Sequence, residues 1–152
     1  MTTTAWRVVK ARYAATSFDG EGAREFGGRW NSIGHAVVYT AATTSLGLLE
    51  ILVHADAVLL PHYVAVAATF DNALVEVIDP DLLPDDWRSN PPPFGLRRLG
   101  DEWIRSGRSC VLELPSVVIP HERNYLLNPA HEDFSHIEIG GPITLDTDHR
   151  LL

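Results

Sequence analysis

The sequence is poor in cysteine, in lysine and in long apolar runs. Its 152 residues include one cysteine, Cys110. A single thiol excludes an internal disulfide and any zinc site built on several cysteines. No stretch approaches the ~18 uninterrupted apolar residues of a membrane-spanning helix. The opening Met-Thr-Thr-Thr-Ala-Trp-Arg lacks the basic segment and apolar run of a secretory signal. A cytoplasmic protein that does not engage a membrane is the expectation. Lysine occurs once, at Lys10, beside eleven arginines. Twelve basic and twenty acidic residues give a net charge of −8. Such a surface repels a polyanion, which disfavours direct nucleic-acid binding and a ribonuclease activity. The arginine bias has two explanations. One is genome composition; the other is a few guanidinium forks committed to phosphate or carboxylate.

What is present is ordinary globular material, 45% hydrophobic and 21% charged. The length suits one domain, taken as residues 1–152. Residues 6–13 read as an opening strand. The glycine-rich stretch 17–34 reads as a long loop, a length often tied to function. A buried strand is expected over 35–41. A helix capped by Thr43, Thr44 or Ser45 should run to about Ala55. Residues 63–70 and 74–78 read as strands paired through Asp71-Asn72. The proline-rich stretch 79–95 reads as an irregular excursion, followed by a helix over 96–106 that ends near Gly107. Short strands are expected at 110–114, 117–119 and 143–145, with 124–141 irregular. Strands dominate without a regular βαβ alternation, so the fold class is mixed, strand-rich α+β.

A few residues could carry chemistry. On the 45–55 helix, Leu46, Leu49, Leu52 and Val53 fall on one apolar arc, with Glu50 at its edge. A carboxylate there needs a partner or a purpose; an arginine pair or a reach to solvent is the plainer alternative. In Gly27-Gly28-Arg29-Trp30-Asn31-Ser32, glycines permit close backbone approach and Arg29 offers a fork suited to phosphate. A tight turn with an exposed arginine would look the same. Tyr39 fits a core tyrosine, Ser116 a strand-edge serine, and Arg7 and Arg123 surface ion pairs. Other constellations fail. There is no GxxxxGK[ST] loop, no HExxH and no complete dinucleotide fingerprint. Ser116 is not within G-x-S-x-G, although His121 and an acid could complete a triad. A metal cluster of His121, His131 and His136 is the weakest alternative.

The run 27–39, Gly-Gly-Arg-Trp-Asn-Ser-Ile-Gly-His-Ala-Val-Val-Tyr, and the run 45–54, Ser-Leu-Gly-Leu-Leu-Glu-Ile-Leu-Val-His, resemble the RES-domain family. So do Trp6-Arg7, Leu-Pro-Ser-Val-Val-Ile-Pro at 114–120, the run 124–129, and Asp-His-Arg-Leu-Leu at 148–152. These are the toxins of bacterial RES–Xre toxin–antitoxin systems. The family is named for Arg, Glu and Ser, which fall here at Arg29, Glu50 and Ser116. The resemblance implies an ADP-ribosyltransferase-like fold and NAD as substrate, with no metal. It implies hydrolysis or phosphorolysis of NAD, or transfer of ADP-ribose to a protein. A non-catalytic interaction module of the same family is the alternative. The implied partner is an Xre-like antitoxin, with a homodimer of the toxin inside the complex. Site residues carry over as Arg7 and Arg29 on the phosphates, Tyr39 against nicotinamide, Glu50 at the nicotinamide ribose, and Ser116 and Asn124 in the pocket.

Overall fold

The structure, a computed structural model, describes residues 1–54 and 62–151. Eight strands among the described residues form one sheet. They are β1 (Thr2–Lys10), β2 (Val38–Ala41), β3 (Tyr63–Asp71), β4 (Val75–Val77), β5 (Val111–Pro115), β6 (Arg123–Leu127), β7 (Glu138–Ile139) and β8 (Ile143–Thr144). The order is β4-β5-β6-β2-β1-β3-β7, with β8 also on β3. Only β4–β5 is parallel among these pairs. The helices are α1 (Glu21–Phe26), α2 (Thr44–His54) and α3 (Phe94–Ser106). The fold is thus the expected mixed, strand-rich α+β arrangement. No helix among the described residues is long and apolar enough to cross a membrane.

The sheet carries a core on each face, because successive side chains of a strand point to opposite sides. On one face Val38, Tyr125 and Leu127 join Val64, Val66 and Phe70. On the other, Val37, Leu112, Leu114 and Leu126 pack with Trp30, Leu83 and the α3 residues Leu96 and Trp103. Helix α3 is where its apolar periodicity puts it, and Gly107 closes it in the left-handed conformation, φ 63°.

Several boundaries differ from expectation. The strand at 6–13 stops at Lys10, and residues 11–13 enter a 3₁₀ turn. The stretch 17–34 is not all loop: α1 sits within it, started by Asp19 Oδ1 accepting the Glu21 N–H at 2.9 Å. With no buried residue, α1 has no apolar period to betray it. Thr43 caps α2, its hydroxyl accepting the Leu46 N–H at 3.0 Å; Ala55 lies outside the described residues. The strands on either side of Asp71-Asn72 do not pair. β3 runs antiparallel to β1, and β4 lies at the far end of the sheet, parallel to β5. Residues 117–119 are a turn, because the Ser116 hydroxyl accepts the Val118 and Ile119 N–H groups and withdraws them from any ladder. The stretch 124–141 holds β6, an inner strand, and β7.

Strands β1 and β2 are paired at a single position, Trp6↔Ala41. The sheet therefore opens between them. Helix α2 packs across this opening, against both strands. Gly47 permits the approach: a Cβ there would lie 2.8 Å from Val8 Cγ2. This contact sets the rotation of α2. Leu46 and Gly47 are buried, whereas Leu49 is 42% and Val53 61% exposed. The expected apolar arc is therefore turned partly to solvent, and Glu50 lies on the packed side instead of at its margin.

Candidate active site

The opening between β1 and β2 is a cavity of about 280 Å³. Its lining includes Arg7 from β1, Tyr39 from β2, Glu50 from α2, Asn124 from β6, and Arg29 from the loop after α1. Five of the six expected site residues thus face one space. The sixth, Ser116, is fully buried behind Glu50 and does not border the cavity. A second cavity of about 830 Å³ adjoins the first, and Arg7 and Tyr39 border both. Its wall is the glycine-rich segment around α1, with Tyr13 and Phe26.

Glu50 is held at both carboxylate oxygens. Asn124 Nδ2 donates to Oε1 at 3.0 Å and Ser116 Oγ donates to Oε2 at 3.0 Å. The Ser116 oxygen already accepts two backbone N–H groups, at 3.1 and 3.2 Å, so its one proton is committed to Glu50. Asn124 also donates to the Thr40 carbonyl at 3.1 Å, which ties the carboxylate to the β2–β6 ladder. Burial raises the Glu50 pKa, the two hydrogen bonds pull it back, and nearby Glu122 raises it again. The result is a fixed, partly desolvated carboxylate. A triad through Ser116 and His121 is not formed, because the serine proton goes to Glu50.

Arg7 bridges the opening. Its Nη1 donates to the Tyr39 carbonyl at 3.1 Å, and its buried Nε has no hydrogen-bond partner among the described residues. Burial depresses its pKa and Asp19 partly restores it; a guanidinium remains a cation at neutral pH in any case. A desolvated donor without a partner is costly, and a hydrogen-bond acceptor in the cavity would satisfy it.

Arg29 is positioned by the chain around it. Its Nη1 donates to the carbonyls of Trp87 at 3.1 Å and Ser89 at 2.8 Å. The proline-rich stretch 79–95 therefore supports this arginine. Burial lowers its pKa, and Tyr39 restores it only in part. The Tyr39 hydroxyl donates to Asn31 Oδ1 at 2.6 Å and accepts the Trp30 N–H at 3.1 Å. Desolvation holds that phenol well above its ordinary pKa, so it stays protonated. Its ring borders the cavity while its hydroxyl fixes the arginine loop. Gly28 is required there, since a Cβ would lie 2.6 Å from the Tyr39 oxygen.

Sequence reasoning missed the residues that hold this loop. Asn31 is fully buried and donates to the Ala23, Ser32 and His35 carbonyls at 2.9 to 3.2 Å. Asp101 on α3 accepts the Ser32 N–H at 2.8 Å. A buried aspartate on an apolar helix face was the available signal. Beside it, Gly100 admits the loop backbone: a Cβ would sit 1.6 Å from the Trp30 carbonyl oxygen. Gly100→Ala should lower stability by about 1–3 kcal/mol, the usual cost of overpacking. Alanine is intrinsically the better helix former by about 1 kcal/mol, so a net loss in denaturant unfolding reports the contact. Unchanged or raised stability would show that the loop yields freely.

His131 caps a turn, accepting the Asp133 N–H and donating to the Gly107 carbonyl. Among the described residues no three His, Cys, Asp or Glu side chains converge as a metal site.

Known proteins match this chain over most of its length. The family model described as RES domain matches residues 4–148. A protein named Toxin Res from Yersinia enterocolitica is 39% identical over 130 residues, 85% of this chain and 86% of that protein. A protein named Prs ADP-ribosylating toxin from a Sphingobium species is 40% identical over 144 residues, 91% of this chain and 89% of its own. The crystal structure of the M. tuberculosis MbcT–MbcA toxin–antitoxin complex contains a chain of the same fold. It matches with TM-score 0.78 and 19% identity, covering 95% of this chain and 85% of that one. Matched by the family model across 4–148 and by toxins at these identities, the chain belongs to the RES domain family.

Proposed function

We propose that this protein is the toxin of a toxin–antitoxin pair and cleaves the nicotinamide–ribose bond of NAD. One observation carries the reading: a carboxylate held at both oxygens faces two arginines across a single cavity. Scission of that bond leaves positive charge on the ribose ring. Glu50, rigid and partly desolvated, stabilises that charge without reorganising, which is the source of electrostatic catalysis. Arg7 and Arg29 neutralise the pyrophosphate and fix the ribose before Glu50. The Tyr39 ring offers an apolar wall to nicotinamide. A cavity of about 280 Å³ suits the nicotinamide riboside end. The rest of the dinucleotide has room in the adjoining 830 Å³. Nicotinamide departs with the bonding electron pair, and water, phosphate or a protein side chain then donates to the ribose carbon and loses its proton. The relative named as an ADP-ribosylating toxin supports NAD as the donor.

The test is incubation of the purified protein with NAD, with and without phosphate, and identification of products by mass. Nicotinamide with ADP-ribose, or with its phosphate ester, supports the reading. An intact NAD pool, with no label transferred to protein from adenine-labelled NAD, would falsify it and favour a non-catalytic interaction module.

The antitoxin partner is expected to close the cavity rather than unfold the toxin. Arg7 and Arg29 must remain reachable to admit an anionic cofactor. They then also attract an acidic side chain or a terminal carboxylate. Amide hydrogen exchange should show protection at 20–34 and around Glu50 when antitoxin binds, with 35–41 unchanged. Faster exchange through 35–54 would instead mean disruption, and occlusion would be wrong.

A further inference from the structure

The turn at 84–89 lies outside the cavity, yet it is tied to both of its walls. We propose that Arg88 is a positioning residue: it fixes this turn as a strap between the two walls of the cavity, and the strap orients Arg29 toward its anionic ligand. The inference deepens the NAD reading above and rests on it for the nature of the ligand.

The turn is closed by Trp87 N–H to the Pro84 carbonyl at 3.0 Å and Ser89 N–H to the Asp86 carbonyl at 2.9 Å. This folding brings two carbonyls, Trp87 and Ser89, onto one nitrogen of Arg29. Nη1 has two hydrogens, and both are used. Among the described residues the Nε and Nη2 hydrogens have no partner and remain for the cavity that Arg29 lines. The guanidinium plane is therefore set by backbone atoms of the turn. On its inner side the turn is seated by Leu83, which is buried, and by Trp87, whose ring lies 6.5 Å from that of Trp30. Pro84 at its start and Pro91 to Pro93 after it restrict the backbone at either end.

On the outer side Arg88 supplies a further tether. Its Nε donates to the Val117 carbonyl at 3.0 Å. Val117 and Val118 border the cavity on the Glu50 side, and the Val118 N–H holds the Ser116 oxygen that steadies Glu50. The side chain of one exposed residue thus links the phosphate-holding wall to the carboxylate wall. Arg88 does not itself line the cavity, so its influence passes through the turn. Being exposed, it contributes little to the fold, and its removal leaves both cores intact.

Two variants and two measurements decide this. In Arg88→Ala, amides at 84–92 and 27–32 should exchange faster than in wild type, with α3 unchanged. Calorimetry with ADP-ribose, which is not cleaved, should show about tenfold weaker binding, toward the lower end of what misplaced positioning groups cost. The KM for NAD should rise similarly while kcat changes less, since Glu50 is untouched. Arg88→Lys, which can still donate to the Val117 carbonyl, should recover most of both effects. Unchanged exchange at 84–92 in Arg88→Ala overturns the strap. So does weaker binding without faster exchange, because Arg88 would then act only through its charge. Failure of wild type to bind ADP-ribose would instead count against the NAD reading, with the exchange data still judging the strap.

Discussion

Glu50→Gln is expected to fold and to lose NAD cleavage by about 10²–10³-fold, the usual cost of removing one preorganised electrostatic group. Glutamine keeps the shape and can still accept from Asn124. It removes the negative charge that faces the developing cation. The effect should fall on kcat, because the charge matters more in the transition state than in the bound substrate. The same residue sets a pH dependence. The proposed reaction needs Glu50 ionised, and burial, followed by the repulsion of Glu122, raises its pKa, against the hydrogen bonds from Asn124 and Ser116. Protonation therefore sets in at higher pH than for an ordinary glutamate, and the rate should begin to decline earlier on acidification than an unperturbed carboxylate would make it. The sign for stability is opposite. A raised pKa means that the protonated form is favoured in the fold, so this group's contribution is greatest in acid and is lost as pH rises through the folded pKa. Stopped assays of NAD consumption across pH, with unfolding measured in parallel, separate the two. Near wild-type turnover in a folded Glu50→Gln would make Glu50 structural.

Arg29→Lys is expected to weaken binding of a non-cleavable NAD analogue by about 10²-fold, although the charge is kept. Two charge-assisted bonds at about 1.5 kcal/mol each give that factor. The structure gives a specific reason. Arg29 spends Nη1 on the Trp87 and Ser89 carbonyls, and among the described residues its other nitrogens have no partner, which leaves them for the proposed ligand. A lysine has one ammonium and must choose between the turn and the phosphate. Calorimetry measures the outcome, and unchanged affinity would move the phosphate site toward Arg7. Together the two variants separate roles: one should alter kcat at similar affinity, the other affinity first.

The local sequence was informative where a single element explains its own pattern. Helix α3 carries an apolar face and a closing glycine, and both were legible. The run Val37-Val38-Tyr39 reads as a buried strand from any neighbourhood. β6 was not legible, because Asn124 stands inside it and an Asn-Pro step follows it. Its Tyr125, Leu126 and Leu127 are buried toward both faces and so show no alternation.

Residue types and short blocks determined the chemistry on offer: two arginines, a glutamate on a helix, and glycines where backbone must come close. They also carried the family resemblance. What they did not determine is which groups meet. Ser116 and Asn124 reach Glu50 across 66 and 74 residues, and local periodicity has no term for such distances. The rotation of α2 was decided by Gly47 against Val8, which turned the leucines partly outward and Glu50 inward. The pairing of β4 with β5 rather than β3 was decided by sheet topology. The support of Arg29 was decided by a turn nearly sixty residues away. A carboxylate becomes a fixed, partly desolvated charge only when distant strands close around it, and that closure belongs to the tertiary structure.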